Sequence, residues 1–252
     1  MQAVTAAISR RPAAPPSAVK AVGWIEYTHT RTVPVDRDFL RRQKLITGLE
    51  PGPYVDAYKV LRTRVLQRMR ERGWTTLGVT SPDAGAGKSL VAANLALSLA
   101  LEVTQTVLLV DANLRRPSLH HYFGIESGHG LAEHLLDGVP MEKILVHPAG
   151  IERFVLLPGH RPLPGSAELF SAPSAAALVE ELKHRYPDRL VVFDLPHWQT
   201  AEALAIAPKL DALLMVAGAG RTGQAELAQT LEQMREMPVI GTVLNDAEAL
   251  EP

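Results

Sequence analysis

Short apolar runs alternate along this chain with longer stretches whose apolar positions recur at helical spacing. Trp74–Thr80, Thr106–Asp111, Arg189–Asp194, Leu210–Ala217 and Val239–Leu244 read as strands, several of them apolar nearly throughout. That is the pattern of a parallel sheet covered on both faces. Ile144–Val146 and Phe154–Pro158 read as two further strands. Helical patterns cover Val55–Arg70, Val91–Leu101, Leu131–Leu136, Ala175–Tyr186, Glu202–Pro208 and Gln224–Met237. In the first of these, Tyr58, Leu61, Val65 and Met69 fall on one face. The alternation predicts an α/β fold, a mostly parallel sheet with helices on both faces. Ahead of it, Thr30–Val35 reads as a short extended piece. Asp36 is a candidate N-cap for a helix over Asp38–Leu45, which Gly48, Pro51, Gly52 and Pro53 then break. Residues 1 to about 33, rich in Ala, Pro, Ser and Arg, are expected to be mostly disordered.

Composition narrows this only a little. The chain has 252 residues, 46% of them hydrophobic and 21% charged, as in an ordinary globule. It has no cysteine, which excludes disulfides and thiolate metal sites. No apolar run is long enough for a membrane-spanning helix, and Arg10 and Arg11 lack the apolar stretch of a secretory signal behind them. A cytoplasmic location is expected. Net charge is −1, but residues 1–72 carry +8 and the remainder −9. A basic front on an acidic body suits an acidic partner, a lipid surface, a neighbouring copy or simply a solvated helix.

The chemistry concentrates in Leu77–Leu90. An apolar strand ends in Thr80-Ser81, a small-residue loop follows, and Gly87-Lys88-Ser89 opens a helix, the context of a phosphate-binding loop. The stretch Asp83, Ala84, Gly85, Ala86, Gly87, Lys88, Ser89 and Leu90 is the candidate nucleotide site. Glycines there let backbone N–H groups converge at a helix N-terminus. Lys88 is placed to reach the β- and γ-phosphates, and the Ser89 hydroxyl to ligate Mg²⁺. Pro82 stands where the general pattern has its first glycine. Asp111 and Asp194 each end an apolar strand, where ligands of open parallel sheets bind. Together with Ser89 they are the candidate metal residues, and with Lys88 the candidate catalytic ones. His120 and His121 read as a surface or loop feature rather than a zinc site.

These residues resemble the bacterial tyrosine kinases that regulate capsule and exopolysaccharide synthesis, relatives of the MinD/ParA ATPases. The resemblance covers roughly residues 54–245. It rests on Thr80-Ser81-Pro82 through Ser89, Val107 through Asp111-Ala112-Asn113-Leu114-Arg115-Arg116-Pro117, and Val191 through Asp194-Leu195-Pro196. Leu156-Leu157-Pro158-Gly159 with Glu168-Leu169, and Ile240 through Asn245, extend it. The family relaxes the first glycine, which accounts for Pro82. The resemblance implies ATP and Mg²⁺ as cofactors, Asp111 near metal and incoming tyrosine, Asp194 ordering the metal's water shell, and Asn245 against the adenine. It implies a chain divided into a largely disordered, basic segment with a short helix (1–53) and a P-loop ATPase domain (54–252). It also implies a membrane-embedded polysaccharide chain-length regulator as partner, recruiting the chain to the inner face of the membrane. Asp56, Lys59 and Arg62 look like a changed form of the helix motif through which the family forms rings; a solvated helix face is the other reading. No nucleic acid partner is expected.

Three departures bear on function. Asn113 stands where the family's second acidic motif has another Asp, and an amide cannot take a proton. Tyrosines occur at 27, 54, 58, 122 and 186, none in the tail 245–252, so autophosphorylation there is not expected. Asp83 replaces the signature lysine of the partition proteins. The leading expectation is a protein-tyrosine kinase acting in polysaccharide synthesis or export. The alternatives are a catalytically weak nucleotide-dependent switch or scaffold and a partition-type ATPase.

Overall fold

The computed structural model describes residues 30–48, 52–102, 104–126, 128–184 and 188–247. In chain order these form β1 (Arg31–Val33), α1 (Arg37–Arg42), α2 (Pro53–Arg72), β2 (Thr76–Thr80), α3 (Lys88–Ala100), β3 (Thr106–Asp111), α4 (Leu119–Tyr122), α5 (Leu131–Asp137), α6 (Met141–Ile144), β4 (Val146–Pro148) and β5 (Phe154–Leu157). They continue with α7 (Ser166–Ser171), α8 (Pro173–His184), β6 (Arg189–Asp194), α9 (Ala201–Ile206), β7 (Ala212–Gly218), α10 (Gln224–Gln233) and β8 (Val239–Asn245). The strands make one eight-stranded sheet in the order β1-β4-β5-β3-β6-β2-β7-β8. All neighbouring pairs are parallel except β4 with β5.

Strand periodicity divides the core into two layers. Val107 and Leu109 of β3 face a cluster built with α2 and α3, whereas Leu108 and Val110 face one built with α5, α7 and α8. Successive strand side chains point to opposite faces, so each apolar strand serves both clusters. Helix α3 is buried nearly all round, and its alanines 92, 93, 96 and 100 let it lie close against the sheet. Among the described residues no helix is long and apolar enough to cross a membrane.

The boundary expected at residue 54 does not separate two bodies in space. β1 joins the sheet against β4, and Leu40, Leu45 and Ile46 are buried in the α2/α3 cluster. The cause is a polar clasp in the middle of α3. Asn94, wholly buried, accepts from the Ile46 N–H at 2.8 Å and donates to the Lys44 carbonyl at 2.9 Å and to the Tyr54 hydroxyl. The expected disorder before residue 30, Tyr27, Tyr186 and the stretch 248–252 lie outside the described residues.

Other corrections are local. Ile144 closes helix α6 instead of opening a strand; β4 begins at Val146. A three-residue apolar run carries no period, and Met141 and Ile144 are buried at one-turn spacing. The first core strand starts at Thr76 rather than Trp74, because the Trp74 N–H closes α2 on the Met69 carbonyl at 2.9 Å, past Gly73 in the left-handed region. Helix α10 stops at Gln233, well before Met237; Pro238 disfavours helical backbone in the residue before it. Asp36 caps α1 as expected, accepting from Asp38 N–H at 2.9 Å.

Candidate functional site

β2, β3 and β6 end side by side, and their carboxyl ends bring the candidate residues together. Asp111 and Asp194 are register partners on β3 and β6, and Val79 stands opposite Asp194 on β2. The phosphate loop leaves β2 immediately beyond. Gly87 is its tightest point: its φ is 83°, and a Cβ there would meet Asn245 Nδ2 at 2.2 Å. Position 87 therefore admits glycine on two counts. Lys88 and Ser89 follow as the first residues of α3, with the Lys88 ammonium 3.2 Å from the Ser89 hydroxyl and 3.8 Å from Asp194 Oδ1.

The two aspartates are not equivalent. Asp111 Oδ2 accepts from the N–H groups of Ser118 at 2.8 Å and Leu119 at 2.9 Å, and its Oδ1 from Asn113 N–H at 3.3 Å. It thus anchors the loop that carries Asn113, Arg115 and Arg116. Asp194 is equally buried, and its Oδ1 is ion-paired with the Lys88 ammonium at 3.8 Å, beyond hydrogen-bond length. Burial, then the charge of Asp194, pushes Asp111 up to about 7, against the pull of the Leu119 and Ser118 N–H groups and Lys88. Burial raises Asp194 too, opposed chiefly by Lys88.

This donor set fits a hydrated Mg²⁺ on a nucleotide. Among the described residues no three His, Cys, Asp or Glu side chains form a metal cage. Mg²⁺ keeps several waters and takes one or two carboxylates plus phosphate oxygens. Ser89, Asp111 and Asp194 could supply that protein share, Asp194 being held only by its ion pair to Lys88.

The paired carboxylates have a consequence for stability. Unfolded aspartates ionise near 4, whereas Asp111 holds its proton to about 7. Between those limits the folded state binds more protons, so stability falls as pH rises through that window. The nucleotide-free protein is expected to melt lower at pH 8 than at pH 5. Asp194→Asn should flatten that slope and raise the melting temperature at pH 8 by roughly 3–8 °C. Parallel melting-versus-pH curves for the two proteins would refute the coupling.

Around this centre the expected residues sort into three groups. Ala84, Gly85 and Ala86 lie on the loop itself. Asp83 turns its carboxylate to the Thr222 hydroxyl, at 3.3 and 3.4 Å. Asn245 Nδ2 donates to the Ala86 carbonyl at 3.1 Å, fastening β8 to the loop. Asn245 and Leu90 also line an apolar groove of about 940 Å³ between α2 and β8, with Ile46, Tyr54, Leu61 and Val243. Asp56, Lys59 and Arg62 do not act as one outward face. Asp56 and Lys59 pair at 2.8 Å. The Arg62 guanidinium turns inward, donating to the Ser98 carbonyl at 2.9 Å and meeting Glu102 at 3.3 Å, where it satisfies the end of α3.

Sequence reasoning missed the loop after β7. Arg221 reaches the Gly85 carbonyl at 3.4 Å, and Thr222 binds both Asp83 and the Gly218 N–H. The available signal was the Gly-rich stretch 218–223 at the carboxyl end of an apolar strand. It also missed the anchoring of Asp111 by residues 118 and 119, for which the sequence carries no signal.

Comparison with known proteins follows this geometry. No family model matches the chain. The tyrosine-protein kinase YwqD of Bacillus subtilis is 31% identical over 193 residues, covering 75% of this chain and 80% of the relative. The putative tyrosine-protein kinase EpsB of Ralstonia solanacearum is 30% identical over 219 residues, 84% of this chain but only 28% of that protein. Among solved structures, the kinase domain of the Escherichia coli tyrosine kinase Etk superposes with a TM-score of 0.71 at 23% identity, over 88% of this chain and 92% of that one. MinD of Pyrococcus horikoshii, complexed with Mg-ADP, gives 0.58 at 19% identity over 68% and 69%. These two likenesses establish the fold, a mostly parallel sheet covered by helices.

Proposed function

The chain belongs to the bacterial tyrosine-protein kinase family, and on that premise we propose that it binds Mg-ATP and transfers the γ-phosphoryl group to a protein tyrosine. The observation that carries this reading is Asp194. A fully buried carboxylate whose cationic partner, the phosphate-loop lysine, stands 3.8 Å away, beyond hydrogen-bond length, is costly unless a ligand completes it. Lys88 and the backbone of residues 84–89 would hold the phosphates. Ser89, Asp111 and Asp194 would hold the metal, which neutralises charge on the phosphates. In the transfer, the bond from the terminal phosphorus to the bridging oxygen breaks, a bond to the tyrosine oxygen forms, and ADP leaves. The phenolic proton goes to Asp111, whose raised affinity for a proton suits a base near neutrality. The groove lined by Leu90 and Asn245 is the proposed place for the adenine.

A switch that binds ATP and transfers little is the second reading. It is favoured by Asn113 and by the commitment of Asp111 to three backbone N–H groups. A membrane-embedded chain-length regulator as partner belongs to the same proposal. Its support is a further relative, ExoP of Rhizobium meliloti, a succinoglycan biosynthesis transport protein 26% identical over 237 residues. The deciding assay supplies Mg-ATP and a tyrosine-bearing polypeptide, with and without the cytoplasmic segment of such a regulator. Phosphotyrosine is expected. Nucleotide binding without phosphotyrosine in either arm would replace the kinase by the switch.

A further inference from the structure

The loop after β6 carries a side chain that none of the roles above uses. Residues 195–198 run alongside the end of β2 and the start of the phosphate loop. Leu195 N–H donates to the Val79 carbonyl at 3.0 Å, the Thr80 hydroxyl to the Pro196 carbonyl at 2.8 Å, and Trp198 N–H to the Ser81 carbonyl at 2.8 Å. The His197 carbonyl is itself held, by the N–H of Thr200 at 3.1 Å and its hydroxyl at 2.9 Å. His197 is therefore fixed abreast of the phosphate loop, by backbone bonds that do not involve its ring.

The ring is half-buried, and its Nδ1 is shut off from solvent with no hydrogen-bond partner among the described residues. Burial holds the imidazole below its ordinary value, and the charges of Lys88, Arg115 and Arg116 hold it there further, Asp83 pulling weakly the other way. Lys88 on α3, Arg115 and Arg116 on the loop after β3, and Asp83 on the phosphate loop are the charged groups that act on it. A shielded imidazole nitrogen without a partner, on a loop bonded to the start of the phosphate loop, suits a contact to a bound anion.

We propose that His197 is a direct ligand of the nucleotide's terminal phosphate, donating a hydrogen bond from its ring to an oxygen of the γ-phosphoryl group held at Lys88. This rests on the nucleotide-binding reading given above. The terminal phosphate is singled out because this loop is continuous with Asp194, whose carboxylate lies 3.8 Å from the Lys88 ammonium that is proposed to hold the outer phosphates.

The test compares Mg-ATP and Mg-ADP binding by calorimetry for the wild type, His197→Ala and His197→Asn, with the ring's ¹⁵N resonances followed in the wild type. His197→Ala is expected to lose about tenfold in affinity for Mg-ATP while Mg-ADP changes by less than about twofold. His197→Asn, whose amide nitrogen stands near the place of Nδ1, should recover most of the loss. The His197 resonances should move with Mg-ATP and stay with Mg-ADP. Equal losses for both nucleotides, or none in the alanine variant, would overturn the assignment while leaving nucleotide binding in place. A wild type that binds neither nucleotide overturns the nucleotide reading itself, and this assignment with it.

Discussion

Lys88→Ala is expected to weaken Mg-ATP binding by about 100-fold and to leave phosphoryl transfer undetectable. The ammonium serves two anions. Without nucleotide it stands 3.8 Å from Asp194 Oδ1 and moderates that buried carboxylate. In the proposed complex it would face the phosphates, where a hydrogen bond between charged groups contributes about 1.5–3 kcal/mol. Its removal takes away that contact and also leaves Asp111 and Asp194 as the net charge confronting an incoming anion. The variant should still fold. Asp194 can take up a proton, and the buried apolar residues of α3 all lie beyond position 88. Calorimetry measures the affinity and thermal melting the fold. A variant that melts normally and binds Mg-ATP within about threefold of the wild type would remove Lys88 from the phosphate site.

Asn113→Asp should raise phosphoryl transfer, by as much as the 10²- to 10⁴-fold typical of a general base, with a smaller change in ATP affinity. Asp111 has three backbone N–H groups on its carboxylate, which leave it fewer lone pairs to share between a metal and a substrate proton. A second carboxylate two residues on would be half-buried rather than sealed, since position 113 is only partly covered. It would add negative charge beside bound metal and offer an oxygen not engaged in anchoring residues 118 and 119. Its charge would also push Asp111 further up, so the gain should be largest at saturating Mg²⁺. Steady-state rates and binding constants for both proteins decide the matter. If the wild type phosphorylates tyrosine as fast as the variant, Asp111 suffices alone and the switch reading loses its support.

Much of this architecture was legible before any coordinates. Five apolar strands, two of them ending in aspartate, recur between helical patterns because a strand buried on both faces has no polar positions to spare. Gly87-Lys88-Ser89 between strand and helix identified the phosphate loop because each residue type has a separate physical task there. Asn113 was equally visible, since an amide in place of an acid is a change of chemistry whatever the fold. The small elements were not visible. Helices α4, α6 and α7 have four to six residues, too few for a period to emerge, and packing rather than propensity decides them.

The sequence by itself determined the layered α/β sheet, the phosphate loop and the identity of the two strand-end carboxylates, all of which follow from local pattern and side-chain chemistry. Only the tertiary structure decided how those carboxylates differ. Strand register sets Asp111 opposite Asp194; the loop of residues 118 and 119 occupies one, whereas the other has the Lys88 ammonium at 3.8 Å. It also decided that Arg62 turns inward, that Asn94 binds residues 44–46 into the core, and that His197 stands beside Lys88. Each depends on groups tens of residues apart being brought together by the fold. Spacing along a chain does not encode such meetings, because they are products of the packing of whole elements.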